Sequence, residues 1–146
     1  MEKPGIAREG EKGKETKKTK EHSLYPPRRI LASPASEVRL AAIAIGLNIR
    51  LRAADMPAGM QERAFRYTRT LLDAVGPSNR PNPTHIALGL KKEFDASYGP
   101  AWHCVVGKSF GSFLTHSPGG FLYFSLGSLS FLLFKTEVRP IFHSPP

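Results

Sequence analysis

A glycine-lysine-serine run, Gly107-Lys108-Ser109, draws attention because these residue types end the loop that binds nucleotide phosphates. In that loop another glycine stands five positions before the second one, where it lets the backbone turn around the phosphates. Trp102 occupies that position here. The run therefore predicts a turn between two strands, and no phosphate site is expected.

His103, Cys104 and His116 are residue types that could bind zinc or form a thiol–imidazole nucleophile. Paired ligand spacing is missing, and neighbours such as His103 and Cys104 point to opposite faces of a strand. No acidic residue stands in a motif that would orient a catalytic base. We therefore expect Cys104 in the core, His103 at an interface, and no metal, cofactor or catalytic residue. A single cysteine excludes an intrachain disulfide, which fits a reducing compartment.

Charge is spread unevenly along the 146 residues. The net charge is +9, and part of it belongs to an early set of lysines and arginines: Lys12, Lys14, Lys17, Lys18, Lys20, Arg28 and Arg29. We predict a basic, disordered arm at residues 1–41, one folded domain at residues 42–136 and a tail at residues 137–146. Such an arm attracts acidic surfaces, including nucleic acid, microtubules and anionic lipid.

Targeting signals are not recognisable in the sequence. Residues 1–20 hold no apolar core of a signal peptide, and their glutamates are unlike a transit peptide. The longest apolar stretch, residues 120–134, is shorter than the roughly 20 residues that span a bilayer. We expect a cytoplasmic protein without a membrane span, with the nucleus as an alternative location.

The first apolar pattern of the domain has a period of two. Alternation at Ile43, Ile45, Leu47, Ile49 and Leu51 predicts a strand with one buried face. An amphipathic helix is the competing interpretation of residues 38–45, where alanine is frequent.

Two helices follow in the pattern. Residues 57–74 carry apolar side chains at spacings of three and four, with Asp55 as a cap and Gly76-Pro77 as a stop. A second helix is predicted from a Thr84 N-cap to Gly99-Pro100, with a buried face at Ile86, Leu90, Phe94 and Tyr98.

The remaining residues predict four strands, at 102–106, 110–116, 121–126 and 129–135. Gly127-Ser128 between the last two is typical of a two-residue hairpin. The expected fold class is therefore α+β, with two helices packed on an antiparallel sheet.

Two blocks of residues resemble a known family. They are Lys91-Lys92-Glu93-Phe94-Asp95 with Trp102-His103-Cys104-Val105-Val106-Gly107, and Phe110-Gly111-Ser112-Phe113-Leu114-Thr115-His116 with Phe121-Leu122-Tyr123-Phe124 and Leu132-Leu133-Phe134-Lys135. Ala54-Asp55-Met56 and Met60-Gln61 add to them. Over about residues 49–136 the sequence is similar to the eight-kilodalton dynein light chains.

The resemblance implies a non-catalytic homodimer in which the strand at residues 110–115 is exchanged between subunits. An open sheet edge beside the second helix would then bind short linear peptides as an added strand. It implies a groove lined by Arg52, Thr84, Ser109, Phe110, Gly111, Ser112, Phe113, Leu114, Thr115, Phe121 and Tyr123. It implies a dimer interface with Lys92, His103, Ser109, Phe113 and Thr115.

The partners that the resemblance implies are the dynein intermediate chain or other proteins with extended linear motifs. The expected function is a dimeric hub, either as a light chain of dynein or as a dimerising subunit of other complexes, associated with the cytoskeleton. The alternative is a dimeriser whose basic arm binds nucleic acid or microtubules.

Four residues depart from the family pattern. The acidic–basic pair that holds a ligand glutamine is replaced by Pro83 and Thr84, which leave a hydroxyl but no charge. Phe113 stands where tyrosine is common, and Ser125 where an aromatic residue is common, which opens a pocket. A preference for glutamine-centred ligands is therefore not expected to carry over unchanged.

His103 matches a family histidine at the dimer interface, which suggests a dependence of the dimer on pH. If the imidazole is buried there, burial disfavours its charged form. The dimer is then expected to be stable at neutral pH and to dissociate as the pH falls and His103 becomes protonated.

Overall fold

The computed structural model describes residues 33–141. Predictions for residues 1–32, which form most of the basic arm, and for residues 142–146 lie outside the described residues. In chain order the elements are α1 (Pro34–Gly46), β1 (Ile49–Asp55), α2 (Ala58–Val75), α3 (Pro83–Tyr98), β2 (Trp102–Gly107), β3 (Phe121–Leu126) and β4 (Leu129–Lys135).

The first element is a helix, so the prediction of a strand from Ile43 to Leu51 is wrong except at its end. Ser33 caps α1 by accepting a hydrogen bond from the Ser36 backbone N–H, and Pro34 suits the first turn. The predicted boundary between arm and domain at residue 41 falls inside α1, and residues 34–41 are helical. The competing helical interpretation of residues 38–45 is the one that the structure confirms.

The two predicted helices are confirmed as α2 and α3, but both predicted caps are wrong. Asp55 does not cap α2, because its carboxylate accepts a hydrogen bond from the Gly119 N–H at 3.1 Å. Asn82, not Thr84, caps α3, and its side-chain oxygen accepts from the backbone N–H groups of Thr84 and His85. Asparagine is the stronger N-cap residue of the two, and Pro83 then takes the first helical position.

The four strands form one antiparallel sheet in the order β1-β3-β4-β2. β3 and β4 form the predicted hairpin, and β1 and β2 each pair with only one of them. Residues 110–116 are not a strand in this sheet, so that prediction is wrong for the single chain. Helices and sheet together give the predicted α+β class.

The helices cover one face of the sheet. Phe65 of α2 and Phe94 of α3 pack on that face, where Phe65 contacts Phe124 and Phe94 contacts Trp102. Residues that alternate with these along the strands therefore lie on the other side, which we call the open face. In the part of the chain that the structure describes, no helix is long and apolar enough to cross a membrane.

Asp95 at the end of α3 holds the start of β2. Its carboxylate accepts hydrogen bonds from the Trp102 backbone N–H at 2.8 Å and from the Lys91 ammonium group. Lys91 also donates to the Trp102 carbonyl oxygen at 3.0 Å. Burial alone would raise the pKa of Asp95, but these hydrogen bonds and the charge of Lys91 lower it below its ordinary value.

Replacing Asp95 by asparagine is expected to lower the free energy of unfolding by about 1 kcal/mol at neutral pH. The lowered pKa means that the carboxylate stabilises the fold above its unfolded-state pKa, and that this contribution is lost as the pH falls through the folded-state pKa. Urea unfolding at neutral and at strongly acid pH, at one protein concentration, should show the difference shrinking on acidification. Asp73→Asn is the matched control, because Asp73 forms an exposed pair with Arg69. Equal losses in the two variants would contradict the role given to Asp95.

Candidate functional site

Strand β2 is an open edge of the sheet. Its residues pair with β4 from Trp102↔Lys135 to Gly107↔Ser130, and no strand of the described residues lies on its other side. An edge strand leaves a row of backbone N–H and C=O groups that can pair with another chain. This edge is not shortened by a proline or a bulge, and its middle residue, Val105, is 42% exposed.

The chain that follows β2 also has unpaired backbone groups. Within the described residues, no N–H group from residue 109 to residue 116 donates a hydrogen bond to a backbone carbonyl. We call this stretch the 109–116 segment. It includes Phe113, which is 87% exposed, and the small residues Gly111 and Ser112, which are exposed as well. The Phe113 side chain is thus left almost entirely uncovered by the part of the chain that the structure describes.

The open face of the sheet is apolar across its centre. The strand register places Tyr123, Leu132 and Val105 in one row across β3, β4 and β2. The next row along the strands holds Phe121, Phe134 and His103. An antiparallel sheet that meets water on one side usually carries polar residues there, so these rows indicate a face that another layer covers.

The 109–116 segment lies partly over this face. The Phe110 ring packs on Tyr123 with centroids 5.9 Å apart, and His116 stacks on Phe121 at 4.7 Å. Phe110 also lies 3.8 Å from where a Cβ of Gly107 would be. Of the residues predicted to line the groove, the structure thus brings Phe110, Phe121 and Tyr123 together.

The other predicted site residues lie on β1, on α3 and in the rest of the 109–116 segment. Arg52 is exposed on β1, at the opposite edge of the sheet, where the pairing with β3 is interrupted by a bulge. Thr84 is exposed in the first turn of α3. Ser109, Ser112 and Thr115 are exposed and Leu114 is half-buried, all of them in the 109–116 segment.

Of the residues predicted at the dimer interface, His103 and Lys92 are exposed. The His103 ring stacks on Phe134 at 5.1 Å, and its Nε2 is hydrogen-bonded to the Thr136 hydroxyl at 2.8 Å. His103 therefore lies on the open face, and its predicted role in a dimer stays a prediction.

Sequence reasoning missed the other residues of the open face, above all Leu132 and Val105. Phe121, Tyr123 and Phe134 are half-buried on the open face, whereas Phe124 and Phe131 are fully buried under the helices. The signal was available in β4, where the consecutive apolar residues 131–134 predict burial on both faces.

Cys104 faces the helices, as its pairing with Leu133 requires. Burial raises the pKa of the Cys104 thiol to about 12, so the nucleophilic thiolate is absent at neutral pH. The native thiol should react with an aromatic disulfide reagent at least about a hundredfold more slowly than the thiol of the urea-unfolded chain. Equal rates in the two states would contradict this burial.

Fold and site together define an α+β domain whose antiparallel sheet is covered by helices on one side and open at one face and one edge strand. The family model for dynein light chain type 1 matches residues 48–136, which is more than half of the chain. The chain therefore belongs to the dynein light chain family, and this assigns it a dynein light chain or related role.

Two curated relatives agree with this assignment. The chain is 49% identical over 86 residues to dynein light chain 1, cytoplasmic, of Debaryomyces hansenii, a match that covers 59% of this chain and 89% of the relative. It is 41% identical over 86 residues to a dynein light chain of Schistosoma mansoni, with 59% of this chain and 91% of the relative covered. The match to the family model begins at residue 48, so α1 lies outside it.

Solved structures show the same fold. The dynein light chain-like domain of a calcium-binding protein of Fasciola hepatica superposes with a TM-score of 0.56 at 23% identity, covering 62% of this chain and 94% of that one. A second structure of that domain gives a TM-score of 0.54 at 24% identity, covering 61% of this chain and 91% of that one. At this identity the likeness shows the fold alone.

Proposed function

We propose that the chain is a non-catalytic dimeric hub that binds short linear peptides by β-strand addition. Two copies exchange the 109–116 segment, which pairs with the open edge of the other copy's β2. The outer edge of the exchanged segment then accepts an extended peptide of a partner protein. Each dimer has two such edges.

The observation that supports this most strongly is the coincidence of two unpaired backbone rows in one chain. Among residues 33–141, no strand lies on the outer side of β2, and no N–H group of the 109–116 segment that follows it donates to a backbone carbonyl. Backbone N–H and C=O groups that are buried away from water are nearly always paired. Exchange between two copies would pair both rows at once.

The open face supports the same arrangement. Two sheets that exchange edge segments bring their open faces together, and face-to-face sheets pack about 10 Å apart with interdigitating side chains. Tyr123, Leu132 and Val105 would then form an apolar layer between the subunits. Phe110 and Phe113, which travel with the segment, would find partners on the other subunit.

Peptide addition follows from the strand edge that remains after exchange. Backbone hydrogen bonds would supply affinity without regard to ligand sequence, and pockets for alternate side chains would supply selectivity. Two sites on one dimer favour partners that are themselves dimeric, because the second ligand binds at an effective concentration of about millimolar when the linker reaches.

The named relatives point to dynein as the first assembly in which to seek partners. One of them is called a cytoplasmic dynein light chain 1, and we infer the same compartment and a cytoskeletal role for this chain. The dynein intermediate chain, or another protein with an extended linear motif, is the proposed ligand. A dimerising role in other complexes needs the same site.

Protonation of His103 is expected to weaken the proposed dimer. His103 shares the open face with Phe121 and Phe134, so dimerisation would bury it among apolar side chains. Sedimentation equilibrium should give a weaker dimer at mildly acid than at neutral pH, and His103→Gln should remove most of that difference. A dimer of equal strength at both pH values would refute the expectation.

Calorimetry with the full chain tests the proposed function. The ligands are a panel of short acetylated and amidated peptides. Some of them should bind with a stoichiometry of one peptide per chain, which is two peptides per dimer. Sedimentation of the same samples reports the oligomeric state. A folded dimer that binds no extended peptide of the panel would overturn the proposal.

A further inference from the structure

One row of the open face differs from the apolar rows described above. The register joins Arg50 of β1, Ser125 of β3, Ser130 of β4 and Gly107 of β2 in one line across the whole sheet. Ser125 alternates with Phe124, which packs under the helices, so this line lies on the open face. Lys108 follows Gly107 directly and is exposed. We call these residues the hydroxyl row.

The hydroxyl row has a cation at each end. Within residues 33–141, neither Arg50 nor Lys108 lies within ion-pair distance of a carboxylate. The arginines of the helical layer are different, since Arg63 pairs with Glu93 at 2.6 Å and Arg66 pairs with Glu62 at 3.1 Å. The positive charges of Arg50 and Lys108 are therefore available to a ligand, whereas those of Arg63 and Arg66 on α2 are already paired with carboxylates.

The row between these cations is narrow and polar. Ser125 is buried with 9% of its surface exposed, Ser130 is half-buried, and Gly107 has no side chain. Neighbours in directly paired positions lie about 4.5–5.5 Å apart, so the two hydroxyls are side by side. An alternative role for Arg50 is to prevent other strands from pairing with the edge strand β1, since a charged edge residue disfavours such pairing. Blocking strand pairing does not require the neighbouring hydroxyls of Ser125 and Ser130, but these hydroxyls can donate hydrogen bonds to an anion.

We infer that the hydroxyl row selects peptides that carry an acidic side chain, and this inference rests on the proposed function. An added peptide strand points alternate side chains toward the open-face side, where the facing sheet presents Arg50, Ser125 and Ser130. A carboxylate there receives hydrogen bonds from the hydroxyls and charge from the arginine. Aspartate, glutamate and phosphoserine share this chemistry. The ligand class is therefore an extended acidic peptide.

A peptide selection with the full chain tests the inference. The probes are short acetylated and amidated peptides with randomised positions, one set of which contains phosphoserine. Bound peptides should be enriched in an anionic residue at one position. Replacing that residue by its neutral amide, or phosphoserine by serine, should weaken binding about tenfold, as measured by fluorescence polarisation. If phosphoserine is preferred over aspartate and glutamate, the ligand is a phosphorylated peptide. A preference for phosphoserine and a preference for carboxylates both support the inference.

Two variants connect the preference to the row. Arg50→Gln should reduce the ratio of affinities between acidic and neutral peptides from about tenfold to about twofold or less. Ser125→Tyr, which fills the space above the row, should reduce it as well. Arg66→Gln is the control, because it removes the same charge from α2 and should leave the ratio unchanged.

Three results overturn the inference. If peptides bind without acidic enrichment, or if Arg50→Gln keeps the full ratio, the row does not select ligands, while the proposed function stands. If no peptide binds to the folded dimer at all, the proposed function fails and the inference fails with it.

Discussion

Val105→Glu is expected to weaken the homodimer by at least about a hundredfold while leaving the single chain folded. Val105 is 42% exposed in the single chain, so a glutamate there can reach water before the subunits meet. In the proposed dimer the same side chain lies between two sheets, beside Leu132 and Tyr123. A carboxylate buried there without a partner costs about 3–5 kcal/mol, which corresponds to the stated loss in the dimerisation constant.

Sedimentation velocity over a range of protein concentrations measures this loss, and circular dichroism checks the fold. Ile45→Glu is the matched control, because Ile45 on α1 is 75% exposed and lies in the helical layer. That variant should dimerise like the parent. A Val105→Glu protein that dimerises normally would show that the open face is not the interface.

Proline at two successive positions of the 109–116 segment is expected to separate ligand binding from dimerisation. In an extended strand, successive N–H groups point to opposite edges. Of Ser112→Pro and Phe113→Pro, one therefore removes a hydrogen bond to the partner's β2 and the other removes a hydrogen bond to the ligand. The variant that loses the hydrogen bond to β2 should weaken the dimer. The variant that loses the hydrogen bond to the ligand should keep the dimer but reduce peptide affinity at least about tenfold.

Calorimetry and sedimentation on both variants distinguish the two effects. Neither proline should unfold the single chain, because the N–H groups of this segment have no backbone partner within the described residues. Thr136→Pro is a useful contrast, since the Thr136 N–H donates to the Ala101 carbonyl at 3.0 Å and its loss should lower stability. Two prolines with identical effects would argue against an exchanged strand that is paired on both edges.

The sequence predicts the helices α2 and α3 and the β3–β4 hairpin correctly because each has one unambiguous period. Ile86, Leu90 and Phe94 recur at every fourth position and are fully buried under α3. The turn at Gly127-Ser128 has a short-range signature in the residues themselves, and Gly127 has the positive φ that such turns require.

The start of the domain was mispredicted because its apolar residues satisfy two periods at once. Ile43, Ile45 and Leu47 alternate, but Leu40, Ala44 and Leu47 also share the buried face of a helix. Ser33-Pro34 marks the start of that helix, and the alanines between favour it. Ile45 is exposed, although the strand interpretation places it on the buried face.

The candidate site could be predicted only in part, since a strand's period does not reveal which edge it pairs with. The alternation in residues 110–116 is that of a strand, yet no described residue between 33 and 141 pairs with this stretch as a neighbouring strand. Arg50, Ser125 and Ser130 become neighbours only through the register of three strands. No spacing along the chain indicates that arrangement.

Isotope-filtered nuclear Overhauser spectroscopy on a mixture of labelled and unlabelled full-length chains tests the exchange of the 109–116 segment most directly. Contacts between this segment of one subunit and β2 of the other are expected in the dimer without any peptide present. Contacts found only within one subunit, or a protein that stays monomeric at the concentrations used, would contradict the proposed hub.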